Sequence, residues 1–519
     1  MSDNLYPIDR FASEPLDVHK WSDHPEIKEL VDTLYQDLSF NELESRSNNR
    51  GRISVKAMLR VLLLDLYVRW IKDPNLATGV QKSTHQFKPN SRYNGLFIGR
   101  KMIDVERVLE EQGYLDVLPH YNDRTGAGRS FSTRIRPSNK LRAIFSNLTI
   151  ELHEIDTNYQ QECVILREKY FDEQDNRSTN LDIEYTDTEY TNTIRHQLES
   201  YNQLLRKTFI DIPSFESATF HREITKGRRA GERTTISIGP DNKFVRRVFS
   251  GGLQGEWKLN GRFYGGWWQQ IDSAYRNQIY INDEPTFEYD LKALHPNLLS
   301  NRAGVTLPED PYTLPDAVIE GVSPDIQRRY VKLLVLMAVN ASSPEDAYAA
   351  FRDNDRSDKI AVSLRNETLE QLLNAFFKYY PHMEQYLCKG LGLELMGIDG
   401  QIANMVIDYF TQQDEPVLCI HDSFLINYRR GEELRRVVEE STFQLTGHRI
   451  RQDIKTERLQ TNLPVTGNIE PFSHPVQTTI YTPKRVNPTE EYKIRRDKFF
   501  RWRELTEQEL VVDGNRSGE

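Results

Sequence analysis

Three stretches of the chain combine residue types that phosphate chemistry requires. In Thr286-Phe-Glu-Tyr-Asp-Leu-Lys-Ala-Leu-His-Pro-Asn-Leu-Leu299, Phe287, Tyr289 and Leu291 alternate with Glu288 and Asp290, and Leu294, Leu298 and Leu299 then follow at helical spacing. A carboxylate where a strand gives way to a helix is held rigidly and points outward, as a metal ligand must; a lone aspartate there also serves as a cap or turn residue. In Gln327-Arg-Arg-Tyr-Val-Lys-Leu-Leu-Val-Leu-Met-Ala-Val-Asn-Ala341, Arg328, Lys332, Leu336 and Asn340 recur every fourth residue. They form one stripe on a helix whose other faces are apolar. Cations at one end of a buried helix need anionic partners, either a triphosphate or a local acid such as Asp325. In Pro416-Val-Leu-Cys-Ile-His-Asp-Ser-Phe-Leu-Ile-Asn-Tyr428, two apolar runs flank His421-Asp422-Ser423, which describes a β-hairpin with a polar tip. Asp and Ser also suit a hairpin turn for backbone reasons.

The elements that position these residues belong to a long, soluble-looking chain. Its 519 residues predict about two to four domains. Apolar residues at 38% and charged residues at 28% argue against global disorder. The apolar run near Val61–Val68 is far short of the ~20 residues needed to span a bilayer. No secretory signal is evident, and three scattered cysteines (Cys163, Cys388, Cys419) give neither a disulfide framework nor a four-thiolate zinc site. The expectation is a cytoplasmic protein without a membrane partner.

Net charge is −10, but its distribution is uneven. Residues 222–247 hold eight basic side chains, Arg228 and Arg229 among them, against three acidic ones, and residues 484–503 hold the same balance. Such blocks can hold phosphates at one face while the acidic remainder repels them, or they can be solvated faces. The second block interleaves Tyr492, Phe499, Phe500 and Trp502, and either clamps a nucleic-acid strand or docks on the body.

Along the chain, residues 1–50 read as a loosely packed arm and residues 52–70 as a helix. A second helix over about 102–112 ends at Gly113, a C-cap. A short strand, the turn-rich basic tip Asp123-Arg-Thr-Gly-Ala-Gly-Arg129 and a returning strand through Arg134 follow. This order resembles the recognition helix and wing of winged-helix DNA-binding domains, over roughly residues 51–145, in which the helix enters the major groove and the wing contacts backbone. Residues 146–240 read as a helical, acidic linker or thumb-like region. Asp182-Ile-Glu184 has the spacing of an exonuclease metal motif, but a solvated acidic loop explains it better. Asn260-Gly-Arg-Phe-Tyr-Gly-Gly-Trp-Trp267-268 offers glycines, Arg262 and rings such as Tyr264 suited to a nearby strand of nucleic acid, although Trp267 and Trp268 equally suit a core.

Taken in order, the three motifs resemble motifs A, B and C of the single-subunit polymerases, the superfamily of family A DNA polymerases and phage-type RNA polymerases. Tyr289-Asp290 resembles motif A, Arg328-Arg-x-x-Lys332 motif B and Ile420-His-Asp-Ser-Phe424 motif C. Asn260-Gly-Arg262 is similar to the segment before motif A, and Phe376-Phe-Lys-Tyr-Tyr-Pro381 to the helix after motif B. The resemblance covers about residues 241–465 and implies an α+β fold with a right-hand core of palm, fingers and thumb-like parts, followed by a basic aromatic tail over 466–519. It implies a DNA polymerase with Asp290 and Asp422 holding two Mg²⁺ ions (Mn²⁺ as the alternative) about 3.5–4 Å apart. Arg328 and Lys332 grip the triphosphate, Leu336 and Asn340 line the nucleotide site, and His421 orients the primer end. The partners implied are a DNA primer-template (RNA as the alternative) and nucleoside triphosphates. Asn340 stands where the family carries a tyrosine, Ala341 where glycine is usual and Leu336 where phenylalanine or methionine is usual, and His295 stands where family A enzymes carry the glutamate that gates the sugar. A bulky His295 favours deoxynucleotides. An RNA polymerase or primase, a non-catalytic winged-helix replication initiator and a nuclease remain as alternatives.

Overall fold

Apolar side chains collect into two main buried sets, one drawn from residues 27–155 and the other from residues 163–450. A computed structural model of the chain describes residues 7–9, 12–45, 54–82, 88–121, 131–172, 177–224, 233–251, 257–456, 458–463 and 478–516. The fold is mixed, with helices and several separate sheets.

The first set is built from β1 (Ser13–Pro15), α1 (Pro25–Asp37), α2 (Asn41–Ser45), α3 (Val55–Lys72), β2 (Ala77–Val80), α4 (Lys101–Glu111), β3 (Leu115–Leu118), β4 (Thr133–Pro137) and α5 (Asn139–Phe145). The strands form one sheet in the order β1-β2-β4-β3. Helix α4 ends where Gly113 adopts φ +72°, and β3 pairs antiparallel with β4, so the helix–strand–strand order expected from the sequence is present. The tip between them, with Arg129, lies outside the described residues. Residues 12–45 are not a loose arm. Ile27, Val31 and Leu34 of α1 are buried in this core, and fully buried Asp65 of α3 accepts hydrogen bonds from Lys20, Arg69 and Thr78. A buried carboxylate requires such partners, and they tie the lead-in to α3.

Residues 146–240 differ from the helical expectation. They contain β5 (Val164–Asp172), β6 (Arg177–Asp182), α6 (Glu189–Arg206), β7 (Ile210–Asp211), β8 (Thr219–Glu223) and β9 (Arg233–Ser237). Only α6 is a long helix. Val164, Ile165 and Leu166 are buried because β5 pairs in parallel with β10 (Val245–Ser250), so no boundary falls at residue 240. Strand β10 pairs in turn with β11 (Leu259–Gly265). Asp182 closes β6 in an ion pair with Arg167, and Glu184 accepts from Ser91, as a solvated acidic turn would.

The central sheet holds the chemistry-bearing strands. After the short α7 (Ser273–Arg276) come β12 (Tyr280–Ile281), β13 (Glu284–Leu291) and α8 (Leu294–Arg302), with Ala293 at φ +46° making the break between β13 and α8. Next are α9 (Pro324–Asn340), α10 (Pro344–Asn354), α11 (Lys359–Ser363), α12 (Asn366–Tyr379) and α13 (Gly392–Thr411), then the hairpin β14 (Leu418–Ile420) and β15 (Ser423–Asn427), α14 (Gly431–Thr446) and β16 (Gln452–Ile454). The sheet runs β14-β15-β13-β12-β7, with β16 also paired to β13. Helix α13 lies against β11 because Gly397 and Gly400 present no side chain; a Cβ on them would stand 1.9 Å from the Lys258 carbonyl and 2.4 Å from that of Gly261.

A hairpin of β17 (Arg458–Leu463) and β18 (Thr478–Pro483) precedes α15 (Glu490–Arg516). The basic aromatic tail docks on the body. Tyr492 and Phe499 are buried against Phe209. Arg495 pairs with buried Asp211, Arg496 with Asp283, Arg485 with Glu284 and Lys498 with Glu151. Among the described residues, no helix is long and apolar enough to cross a membrane.

Candidate active site

Asp290 is the next-to-last residue of β13, and His421-Asp422 is the turn of the β14–β15 hairpin. Antiparallel pairing sets Asp290 opposite Ser423, and the Leu291 N–H donates to the Asp422 carbonyl at 3.0 Å. The two aspartates therefore stand side by side at one end of the sheet. Burial raises the Asp290 pKa, an effect that nearby Asp422 reinforces and that Lys455 and Lys332 oppose. His421 takes φ +55°, which lets the tight turn close.

Helix α9 supplies the cationic side. Ser323 caps it, its Oγ accepting from the Ile326 N–H, and Pro324 starts it. Tyr330, Val331, Leu334, Val335, Ala338 and Val339 are buried, which leaves Arg328, Lys332, Leu336 and Asn340 on the open face as the four-residue spacing predicts. Lys332 is exposed and has no ion-pair partner among the described residues, while contributing to the field at Asp290. Arg328 differs. Its Nε lies 2.5 Å and its Nη2 3.1 Å from the Asp310 carboxylate, so its charge is already matched by a local acid, Asp310 rather than Asp325. Asn340 turns back on its own helix, its Nδ2 donating to the Leu336 carbonyl at 2.9 Å.

A third layer comes from β11, α8 and α13. Arg262 Nε donates to Asp399 at 2.5 Å, and Arg262 Nη2 is 3.2 Å from His295 Nε2. Asp399 is 2% exposed. Burial pushes its pKa up to about 6, against the pull of Arg262 and with a push from Asp422. His295, also buried, is lowered to about 4 by desolvation and then by Arg262, so its imidazole is neutral at pH 7 and its Nε2 accepts from Arg262. His421 is lowered to about 4 in the same way, by burial, Arg262 and Arg276. The Tyr264 ring meets the His421 ring edge-on at 5.7 Å. Phe263, Trp267 and Trp268 are buried core residues and present no face to a ligand.

Comparison with known proteins adds little weight. No family profile and no curated protein matches this chain. Among solved structures, it is similar to the POL domain of Pol1 from M. smegmatis, in a complex with DNA primer-template and dNTP. That likeness has 12% identity and a TM-score of 0.27, and it spans 38% of this chain and 45% of the other. It assigns neither fold nor activity by itself.

The donors present suit a hard divalent cation. Asp290 and Asp422 offer carboxylate oxygens, the nearby Cys419 thiol is buried with its pKa pushed far up, and no cluster of three or more His, Cys, Asp or Glu side chains exists among the described residues. Two carboxylates leave most coordination positions to phosphates and water, which is how magnesium is usually held. Sequence reasoning missed four residues here. Lys455, just after β16, lies 2.7 Å from Asp290, and buried Glu288 accepts from Ser423 Oγ at 3.0 Å. Asp310 and Asp399 are the other two. Only Asp399 carried a signal, as the one acid between two glycines in the apolar run Met396-Gly-Ile-Asp-Gly400. Arg134 lies on β4 in the N-terminal sheet, where its Nη1 donates to the Ser132 carbonyl at 2.9 Å. Arg228 and Arg229 fall outside the described residues.

Proposed function

We propose that the chain is a template-directed nucleotidyltransferase, a DNA polymerase with a right-hand core, acting in replication or repair of a mobile element, phage or plasmid. The observation that carries this reading is that Asp290 on β13 and Asp422 in the β14–β15 turn lie at the same end of the sheet, with the exposed ammonium of Lys332 acting on Asp290. Two Mg²⁺ ions held by these carboxylates would activate a primer 3′-hydroxyl and steady the departing pyrophosphate. The residues of the chain do the rest. Lys332 binds the triphosphate and neutralises charge as it develops. Arg328 reaches the phosphates only by exchanging Asp310 for them, so its share is smaller. His295, neutral and fixed by Arg262, fills the space beside the sugar and disfavours a 2′-hydroxyl. His421 and Tyr264 form an edge-on pair against which a primer terminus can rest. The helix–strand–strand unit α4-β3-β4 serves as a winged-helix module on duplex DNA.

The test is extension of a labelled primer on DNA and on RNA templates with Mg²⁺, each nucleotide pool supplied separately. Deoxynucleotide-dependent extension on DNA is expected, and His295→Gly is expected to admit ribonucleotides. Ribonucleotide extension by the unaltered protein would favour an RNA polymerase or primase. Duplex binding without any synthesis would favour the replication initiator, and release of nucleotides without triphosphates a nuclease.

A further inference from the structure

The strand pairing that brings Asp290 to Asp422 also brings a resident cation to the same carboxylate. Strand β16 lies along the other edge of β13, with Asp453 opposite Asp290 and Ile454 opposite Tyr289. The next residue, Lys455, is fixed by its backbone N–H, which donates to the Glu288 carbonyl at 2.9 Å. Its ammonium stands 2.7 Å from Asp290 Oδ1 and 3.9 Å from Glu288 Oε1. The acids that flank Asp290 on β13 and β16 have other partners. Glu288 is buried and held by Ser423 Oγ and by Arg276 at 3.3 Å, while Asp453 is paired with Lys292 at 2.9 Å. Asp290 is thus the carboxylate that Lys455 contacts most closely, and the lysine side chain is exposed to solvent.

We infer that Lys455 is a positioning residue that acts as a built-in counter-ion at Asp290, fixing that carboxylate in the free protein and weakening its hold on a divalent cation until substrate phosphates arrive with the metal. The inference rests on the proposed metal role of Asp290. A positive charge in contact with a metal ligand both occupies a lone pair and repels the incoming ion. Near a protein surface, such repulsion at a few ångströms costs a divalent cation roughly tenfold or more in affinity. With a bound triphosphate the added negative charge offsets that repulsion, so metal would enter with the nucleotide rather than ahead of it.

The experiment is Mn²⁺ titration of the full chain without nucleotide or DNA, with free Mn²⁺ read by electron paramagnetic resonance. The proteins are the unaltered chain, Lys455→Met, Lys455→Gln, Lys455→Arg and Asp290→Asn. Both neutral variants should bind Mn²⁺ about tenfold more tightly than the unaltered chain, and Lys455→Arg should match it. The gain should vanish when Asp290→Asn is combined with Lys455→Met. Equal or weaker Mn²⁺ binding by both neutral variants would overturn the inference while leaving the metal role of Asp290 intact. If Asp290→Asn removes no Mn²⁺ binding from any of these proteins, the metal role fails, and the inference falls with it.

Discussion

His295 gives a prediction that can be worked from the structure alone. It is 8% exposed on α8 and accepts from Arg262, and its pKa falls from 6.5 to about 4 on folding. Because the folded value is the lower one, the neutral imidazole's contribution to stability is complete above about pH 6.5 and is lost as pH falls towards 4. The full loss is about 3 kcal/mol, of which about 2.5 kcal/mol has developed by about pH 4.5. Asp399 works in the other direction. Its folded pKa of about 6 lies above 3.8, so the folded state takes up a proton first and gains stability as pH falls through that window. His295→Gln keeps a carbonyl acceptor for Arg262, removes the titration and leaves Asp399 in place, so the Asp399 effect cancels between the two proteins. Urea unfolding at about pH 7.5 and about pH 4.5 should show the unaltered chain losing about 2–3 kcal/mol more than His295→Gln. Equal losses would refute the reading of His295 as a buried, neutral acceptor.

Three other perturbations have signs fixed by the packing. Gly397→Ala, which would stabilise an exposed helix, should here cost about 2 kcal/mol in urea unfolding, because the added methyl would stand 1.9 Å from the Lys258 carbonyl. Arg495→Met strands buried Asp211, whose only ion-pair partner among the described residues is that arginine. It should cost about 3 kcal/mol and make α15 sensitive to limited proteolysis. Lys332→Ala should raise KM for nucleotide and lower kcat more than Arg328→Ala does, since Arg328 is already engaged by Asp310; steady-state incorporation kinetics decide the order.

The site was legible in the sequence where local pattern and chemistry coincide. Asp290 at a strand end, Asp422 in a hairpin turn and the stripe through Lys332 each follow from short-range periodicity, and the sheet brings the first two together. Residues that reach the site through long-range pairing left no such trace. Lys455 acts through the register of β16 on β13, and Asp310 reaches Arg328 from a loop. The strand β5 was read as helix because residues 168–171 beyond its buried start are exposed and show no two-residue alternation of burial, and it is the pairing with β10 at one end and β6 at the other that makes it a strand. The lead-in before residue 45 looked loose because its prolines and polar stretches outweighed the short helical spacing of Ile27, Leu30, Val31 and Leu34, and the contact of Lys20 with buried Asp65 is a long-range one.

The most direct measurement compares Mg²⁺-dependent primer extension by the unaltered chain with that by Asp290→Asn and Asp422→Asn, with duplex binding followed in parallel. Both variants should lose extension by about a thousandfold or more while binding the primer-template as before. Extension at a near-normal rate by either variant would contradict the assignment of these two carboxylates to the reaction.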